Sequence, residues 1–360
     1  MQVNLLGFSL EQLKDFFQTI GLSDLDAKRV FPWIHVKLAR SFENMSDVPQ
    51  KVREILTEKC TLNRDECIVL KKSVDGTQKA LLKFADGHCV ETVLIPDEGR
   101  NTICVSSQVG CAMGCKFCHT GTQKFTRNLS AHEIMSQIFF WKDMIPSTNT
   151  VTNIVFMGMG EPLLNFENLS TALHLLLSKK AHNFSRNKIT VSSCGIVESS
   201  ILELAKLGVK LAISLHAPNN DKRDLIMPIN RKYNIEKVLV TAKKYLEQSN
   251  TDKITFEYLL LKDLNDSVED ALELAKLLRK ISCKVNLIMY NDWPDSQFKR
   301  TSIQRANLFS QTLLKKGIRT IIRKSKGDDI LAACGQLKGA ISGANMKRES
   351  QKMMDSKLHF

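Results

Sequence analysis

Thr102-Ile103-Cys104-Val105-Ser106-Ser107-Gln108-Val109-Gly110-Cys111-Ala112-Met113-Gly114-Cys115-Lys116-Phe117-Cys118 is the stretch on which the reading of this chain turns. Its first five residues alternate in the manner of a strand, and a glycine-bearing loop follows. Working outward, the same unit of strand, loop and helix recurs. Strands are expected over 102–106, 153–157, 188–192, 210–215, 253–260 and 284–290, with helical spacing over 131–144, 199–207, 235–246 and 268–281. A further helix over 308–316 and a β-prone run over 319–323 close the series. Such alternation predicts an α/β chain built on a parallel sheet. Six units are fewer than the eight of a closed barrel, so a partial (β/α)6 barrel is the first expectation and a flat doubly wound sheet the second.

Upstream, residues 10–17 and 27–38 carry helical apolar spacing, and Ser46-Asp47-Val48-Pro49 looks like a helix start with Pro49 in the first turn. Asp75-Gly76 and Asp86-Gly87 separate short β-prone runs, a hairpin signal. We therefore expect a small helical and β-hairpin domain over 1–96, a core over 97–342, and a loose basic tail over 343–360, with the junction at Pro96-Asp97-Glu98-Gly99.

The chemistry is concentrated in the loop. Cys111, Cys115 and Cys118 stand four and three residues apart with Gly114 between the first two. Thiolates are the soft ligands that iron–sulfur clusters take. Three of them on a [4Fe-4S] cluster leave one iron open for the amino and carboxylate groups of S-adenosylmethionine (SAM), which an electron can then cleave to a radical. The competing reading is a zinc site completed by His119, although neighbours in sequence rarely converge on one tetrahedral ion. Of the other cysteines, Cys60, Cys67, Cys89, Cys194 and Cys283 lie among apolar neighbours and read as small core residues. Gly158-Met159-Gly160-Glu161 follows the second expected strand, and its glycines allow close backbone approach to a ligand. Ser192, Ser214, His216 and Asn291 fall at the C-terminal ends of other strands, the rim at which such sheets bind ligands.

The chain has 360 residues and a formal net charge of +13, an excess that suits a polyanion such as RNA but is also common among enzymes with no such partner. Lys37, Arg40, Lys124, Arg127, Lys299 and Arg300 are the candidate RNA contacts, with ordinary surface charge as the alternative for each. No apolar run reaches the roughly 20 residues of a membrane span, and the first residues lack the basic and apolar pattern of a secretory signal. The expected compartment is the cytoplasm, where thiols stay reduced.

The cysteine loop is the motif of the radical SAM superfamily. With Cys104 to Cys111, Met157 to Pro162, Ser214 to Pro218, Met227 to Asn230 and Ala332 to Leu337, the chain resembles one branch of it, the RNA adenine methyltransferases of the RlmN and Cfr type. The resemblance runs from about Phe31 to Leu337. It implies a SAM site of Gly160, Glu161, Ser192, Ser214, Leu215, His216 and Asn291. It implies that Cys334 is methylated by a first SAM and that a radical from a second SAM takes a hydrogen from that methyl group. The carbon then adds to adenine, Glu91 removes the ring proton, and Cys104 attacks Cys334 to release the product through a transient disulfide. An aromatic C2–H is not nucleophilic, which is why polar transfer alone would fail. By spacing alone, Cys104 and Cys334 pass equally well as core residues, and Glu91 as a strand carboxylate. Pro162 after Glu161 implies C2 chemistry, with C8 as the alternative. The implied partners are 23S rRNA near the peptidyl transferase centre, tRNA anticodon loops, and an electron donor such as flavodoxin, the enzyme acting as a monomer on an adenosine that leaves its stack. Two rival readings are a zinc-stapled RNA-binding protein without catalysis and a radical SAM enzyme acting on a protein or a small molecule.

Overall fold

The N-terminal residues form three helices, two of them capped by side chains. A computed structural model describes residues 2–146, 150–196, 199–294 and 296–339; the tail expected over 343–360 lies outside them. Strand β1 (Val3–Asn4) pairs in parallel with β2 (Cys60–Thr61), closing a loop that holds α1 (Leu10–Thr19), α2 (Asp24–His35) and α3 (Gln50–Lys59). Ser9 with Gln12 and Ser23 with Asp26 make reciprocal capping boxes, which is why α1 and α2 start where they do. Pro49 is the residue before α3 rather than inside its first turn, and Asp47 instead accepts from the Trp33 indole.

Three antiparallel strands follow, β3 (Glu66–Lys72), β4 (Gln78–Lys83) and β5 (Cys89–Asp97), turning at the two Asp-Gly pairs. They do not stand apart. β5 runs through the expected junction at residue 96 and pairs with β6 (Arg100–Cys104), so the sheet is continuous there. Pro96 is accommodated next to the tight turn at 97–100, where the ladder ends. After the short pair β7 (Gln108–Val109) and β8 (Arg127–Asn128) come α4 (Ala131–Met144), β9 (Asn153–Phe156), α5 (Phe166–Leu177), β10 (Ile189–Ser193), α6 (Ser199–Leu207) and β11 (Lys210–Ser214). Then follow α7 (Asn220–Ile226), α8 (Ile235–Gln248), β12 (Ile254–Leu260), α9 (Val268–Leu278), β13 (Cys283–Met289), α10 (Ile303–Lys315) and β14 (Arg319–Arg323). The sheet order is β14-β13-β12-β11-β10-β9-β6-β5-β4-β3. From β6 to β14 all pairings are parallel, so the run at 319–323 supplies a seventh parallel strand among the described residues. Residues from β9 to β14 line a common cavity, which gives the open, partial-barrel form.

Burial explains why periodicity found these strands. Every residue of β12 is buried, and its sequence is apolar except at Thr255 and Glu257. The core runs without interruption from the N-terminal helices to α10. Close backbone contact seats the N-terminal part: a Cβ on Gly7 would lie 2.4 Å from the His132 amide nitrogen in α4. Among the described residues, no helix is long and apolar enough to cross a membrane.

His35 gives this junction a pH dependence. Its ring is buried against Phe31 and Phe139, Nε2 meets the Phe8 carbonyl at 3.2 Å, and Nδ1 is buried without a partner. Burial pushes its pKa down to about 3. The unfolded chain therefore takes up a proton below about pH 6.5 that the folded chain refuses until about pH 3. The stabilising effect of keeping the ring neutral is complete above pH 6.5 and declines as pH falls through that window. Lowering the pH from 7 to 5 should cost about 2 kcal/mol through His35. Urea titrations at the two pH values should show that loss in the wild type and a smaller one in His35→Phe.

Candidate active site

The cysteine loop leaves β6 and is shaped by its glycines. Gly114 has φ +64°, and a Cβ on Gly121 would lie 2.5 Å from the Cys115 carbonyl oxygen, so the chain folds back on itself there. The Cys118 amide donates to the Cys115 carbonyl at 3.1 Å. Cys111, Cys115 and Cys118 all line one open cavity. Burial pushes all three thiols up, Cys111 to about 12, so a strongly electron-accepting centre is needed to hold them as thiolates. Among the described residues, no three His, Cys, Asp or Glu side chains gather around a point that one metal ion could occupy. His119, the fourth ligand of the zinc reading, lays its ring flat on Trp293 at 4.7 Å. A soft, all-thiolate set on the wall of a wide cavity fits a polynuclear iron–sulfur group and not a mononuclear tetrahedral site.

The opposite wall is the strand rim. Gly158, Gly160, Glu161, Ser192, Ser214 and His216 line the same cavity. Glu161 is buried, which raises its pKa; its carboxylate accepts from the Cys194 amide at 2.8 Å and the Leu163 amide at 3.3 Å. His216 sits at φ +58°, and its Nδ1 accepts from the Leu259 amide at 3.0 Å. That bond places the ring proton on Nε2, and burial lowers the pKa to about 3, so the imidazole is neutral. Leu215 contributes its backbone only: its side chain is fully buried, its amide donates to the Glu257 carbonyl, and its carbonyl accepts from Arg223.

Gly160 shows how tightly this wall is built. Its φ is +96°, and a Cβ would lie 2.5 Å from Gln108 Cβ, while Gln108 Oε1 accepts from the Glu161 amide at 2.8 Å. Gly160→Ala should lose about 2–3 kcal/mol of stability and displace Glu161. Urea unfolding and calorimetric titration of SAM should register both effects.

A second cavity adjoins the first and shares Cys118, Met157, Gly158, Ile288, Arg323, Cys334 and Gly335 with it. Cys104 and Asn291 line only this second space. Asn291, expected at the SAM site, donates to the Cys334 carbonyl at 3.4 Å and accepts from Ser325 at 2.6 Å. Among the described residues, which include all ten cysteines, Cys334 alone is exposed. Its segment is held by the cysteine loop: the His119 amide donates to the Gly335 carbonyl at 2.7 Å, and Thr120 Oγ1 donates to the Leu337 carbonyl at 2.6 Å. Burial pushes Cys104 up to about 12, an effect that the Arg323 guanidinium opposes. Glu91 lines neither cavity. Its carboxylate pairs with Lys79 at 2.8 Å and accepts from the Lys338 amide at 2.7 Å.

Sequence reading missed several wall residues. Cys194 is buried as expected, yet it faces the first cavity and its amide holds Glu161. Glu257 lines the same cavity; one carboxylate oxygen accepts from Asn286 at 2.9 Å and the other is buried without a partner. Arg223, fully buried, spans the carbonyls of Cys194, Ser214, Leu215 and Tyr233. The parallel-strand register aligns Ser214, Glu257 and Asn286 side by side, a signal visible only once the register is known. Of the candidate RNA contacts, Arg127 pairs with Glu133 and Asp86, Arg40 with Asp143 and Arg300 with Asp328.

Comparison with known proteins agrees with this geometry. Residues 105–278 match the Radical SAM superfamily, and residues 3–62 match the Ribosomal RNA large subunit methyltransferase N-terminal domain. A dual-specificity RNA methyltransferase RlmN of Francisella tularensis subsp. novicida is 44% identical over 355 residues, 97% of this chain and 96% of the relative. The protein of that name from subsp. holarctica is 43% identical over the same shares. The crystal structure of a radical SAM methyltransferase from Sphaerobacter thermophilus superposes with a TM-score of 0.89 at 39% identity, covering 94% of this chain and all of that one. The cofactors that follow from this membership are a [4Fe-4S] cluster and SAM. With its own N-terminal domain, cysteine loop and paired cavities, this chain belongs to the RlmN family of radical SAM methyltransferases.

Proposed function

We propose that the protein methylates C2 of adenosine in 23S rRNA at the peptidyl transferase centre and in tRNA anticodon loops, in the cytoplasm, as a monomer supplied with electrons by a donor such as flavodoxin. The observation that carries this reading is the shared wall between the cavities. Cys334 opens on both, with the cluster ligands in one and Cys104 in the other. A thiol so placed can take a methyl group on the SAM side and deliver it on the other.

When bound, the cluster and SAM supply one-electron chemistry able to take hydrogen from an unactivated methyl group. The residues divide the remaining work. Glu161, Ser192, Ser214 and His216 orient SAM, and Cys334 carries the carbon that becomes bonded to adenine. Glu91 is the candidate acceptor of the ring proton. It lies beside the Cys334 segment but is engaged by Lys79 and the Lys338 amide, so that role requires it to exchange partners. Once the adduct has given up its unpaired electron and the ring proton, the Cys104 thiolate attacks Cys334 Sγ; the S–C bond breaks with its pair going to the carbon, which takes a proton to become the methyl group, and the disulfide formed must be reduced by an external thiol. The basic residues Lys324 and Lys326 line the second cavity and suit an approaching nucleotide phosphate.

Cys104→Ala removes the attacking sulfur, so the adenine carbon should stay bonded to Cys334. The expected result is a covalent protein–RNA adduct that survives denaturing electrophoresis and disappears on RNase treatment.

The function itself is tested by nucleoside mass spectrometry on RNA from a host lacking such an enzyme, with this chain expressed. Appearance of 2-methyladenosine in 23S rRNA supports the reading, and its appearance in the tRNA fraction supports dual specificity. Appearance of 8-methyladenosine assigns C8 chemistry instead. No methylated adenosine from soluble, iron-loaded protein would sink the substrate claim.

A further inference from the structure

The cysteine loop touches two different surfaces. Its end is tied to the Cys334 segment, as described. Its middle is tied elsewhere: the Lys116 amide donates to the Ile226 carbonyl at 2.9 Å, at the end of α7. Beside it, Gly114 faces Pro228 in the short helical turn Pro228–Arg231. This second surface is open. Leu225 is 55% exposed, and Lys116, Arg231 and Lys232 are exposed on the same face. Among the described residues, neither Lys116 nor Arg231 is paired with a carboxylate. The acids of α7 only partly offset them. Asp221 is exposed and Asp224, which accepts from the Asn230 side-chain amide at 2.8 Å, is half-buried, so two carboxylates stand against three cations and the face keeps a net positive charge.

An apolar centre with a cationic rim, backed by the loop that bears the iron ligands, has the composition of a transient redox interface. Such encounters are small, weak and steered by opposite charge. The Cys334 side is where RNA must sit, so an electron donor needs an entrance that RNA does not cover. We propose that the face formed by Lys116, Leu225, Ile229, Arg231 and Lys232 docks the one-electron donor, a small acidic flavoprotein. This rests on the reading of the chain as an enzyme whose cluster is reduced in turnover. One electron leaves the flavin hydroquinone, which becomes the semiquinone with its proton passing to solvent, and enters the cluster held by Cys111, Cys115 and Cys118.

The test uses the full chain with its cluster reconstituted anaerobically, without RNA. Cluster reduction is followed by electron paramagnetic resonance after mixing with flavodoxin hydroquinone or, separately, with dithionite, which needs no docking face. In the double variant Lys116→Glu/Arg231→Glu, the flavodoxin rate should fall about tenfold or more, and the dithionite rate should stay within about twofold. Added salt should slow wild-type reduction by flavodoxin and have little effect on the variant. Leu225→Asp, on the same face but with a different chemistry, should also slow flavodoxin alone. Unchanged flavodoxin rates in both variants would overturn the proposal. So would an unchanged flavodoxin rate accompanied by weakened RNA binding, which would assign the face to RNA. Because no methylation is read, failure of the assigned RNA substrate would leave this result standing.

Discussion

Cys115→Ala should contain no cluster and form no methylated adenosine above background, while retaining its fold. The three thiols share one cavity, and two thiolates do not hold a four-iron cluster open at one corner. The loop, however, does not depend on the thiol for its shape. The Lys116 amide bonds to Ile226, the His119 amide to Gly335, and the Cys118 amide to the Cys115 carbonyl, which alanine keeps. Removing one buried sulfur should cost about 1 kcal/mol. Compared with wild type stripped of iron, the variant should therefore melt within a few degrees, and iron analysis should find the cluster lost. Activity lost together with the fold would mean that the thiol, and not the backbone, shapes the loop.

The second large effect is expected at Arg223. It makes five hydrogen bonds from a fully buried position: to Cys194 at 2.6 Å, Asn230 at 2.9 Å, Leu215 and Tyr233 at 3.1 Å, and Ser214 at 3.2 Å. Four of these partners are backbone carbonyls, and three belong to residues at the SAM rim. Arg223→Ala leaves them buried without a donor, at a cost of about 3–5 kcal/mol. For a chain of 360 residues, that lowers the melting temperature by roughly 4–7 °C. SAM binding should weaken as well, because Ser214 and His216 lose the strut that sets their height. Lysine has a single point of donation in place of a planar fork. Arg223→Lys should therefore recover less than half of either loss, as measured by calorimetry and SAM titration. Recovery by lysine equal to wild type would show that charge, and not geometry, is what matters there.

The parallel strands were legible because each is a short β-prone run between loop signals, continuous and buried on both faces in β12 and alternating in β9 and β10. The cysteine loop was legible because ligand spacing is local. What escaped is what depends on register and long-range contact. Arg223 looks like one more cation in a polar helix until four distant carbonyls close around it. Glu257 interrupts an apolar strand, and only its alignment with Ser214 and Asn286 marks it as a cavity residue. Hairpin signals located β3, β4 and β5, but a turn says nothing about which edge its strands will join, so the sheet's continuity through β5 and β6 was not foreseen. Resemblance named Cys104, Cys334 and Asn291, but that the three line one space, with Asn291 bonded to Ser325 and the Cys334 carbonyl, depends on contacts between segments far apart in the chain.

The binding of Thr120 to Leu337 joins residues 217 apart in the chain. During translation, the cysteine loop thus leaves the ribosome roughly 10–40 s before the segment that completes its cavity. Through that interval the pocket is missing the wall that carries Cys334, and iron and sulfide can reach the three thiols from the side later closed. Cys334 is thus the last cysteine of the pocket to take its place.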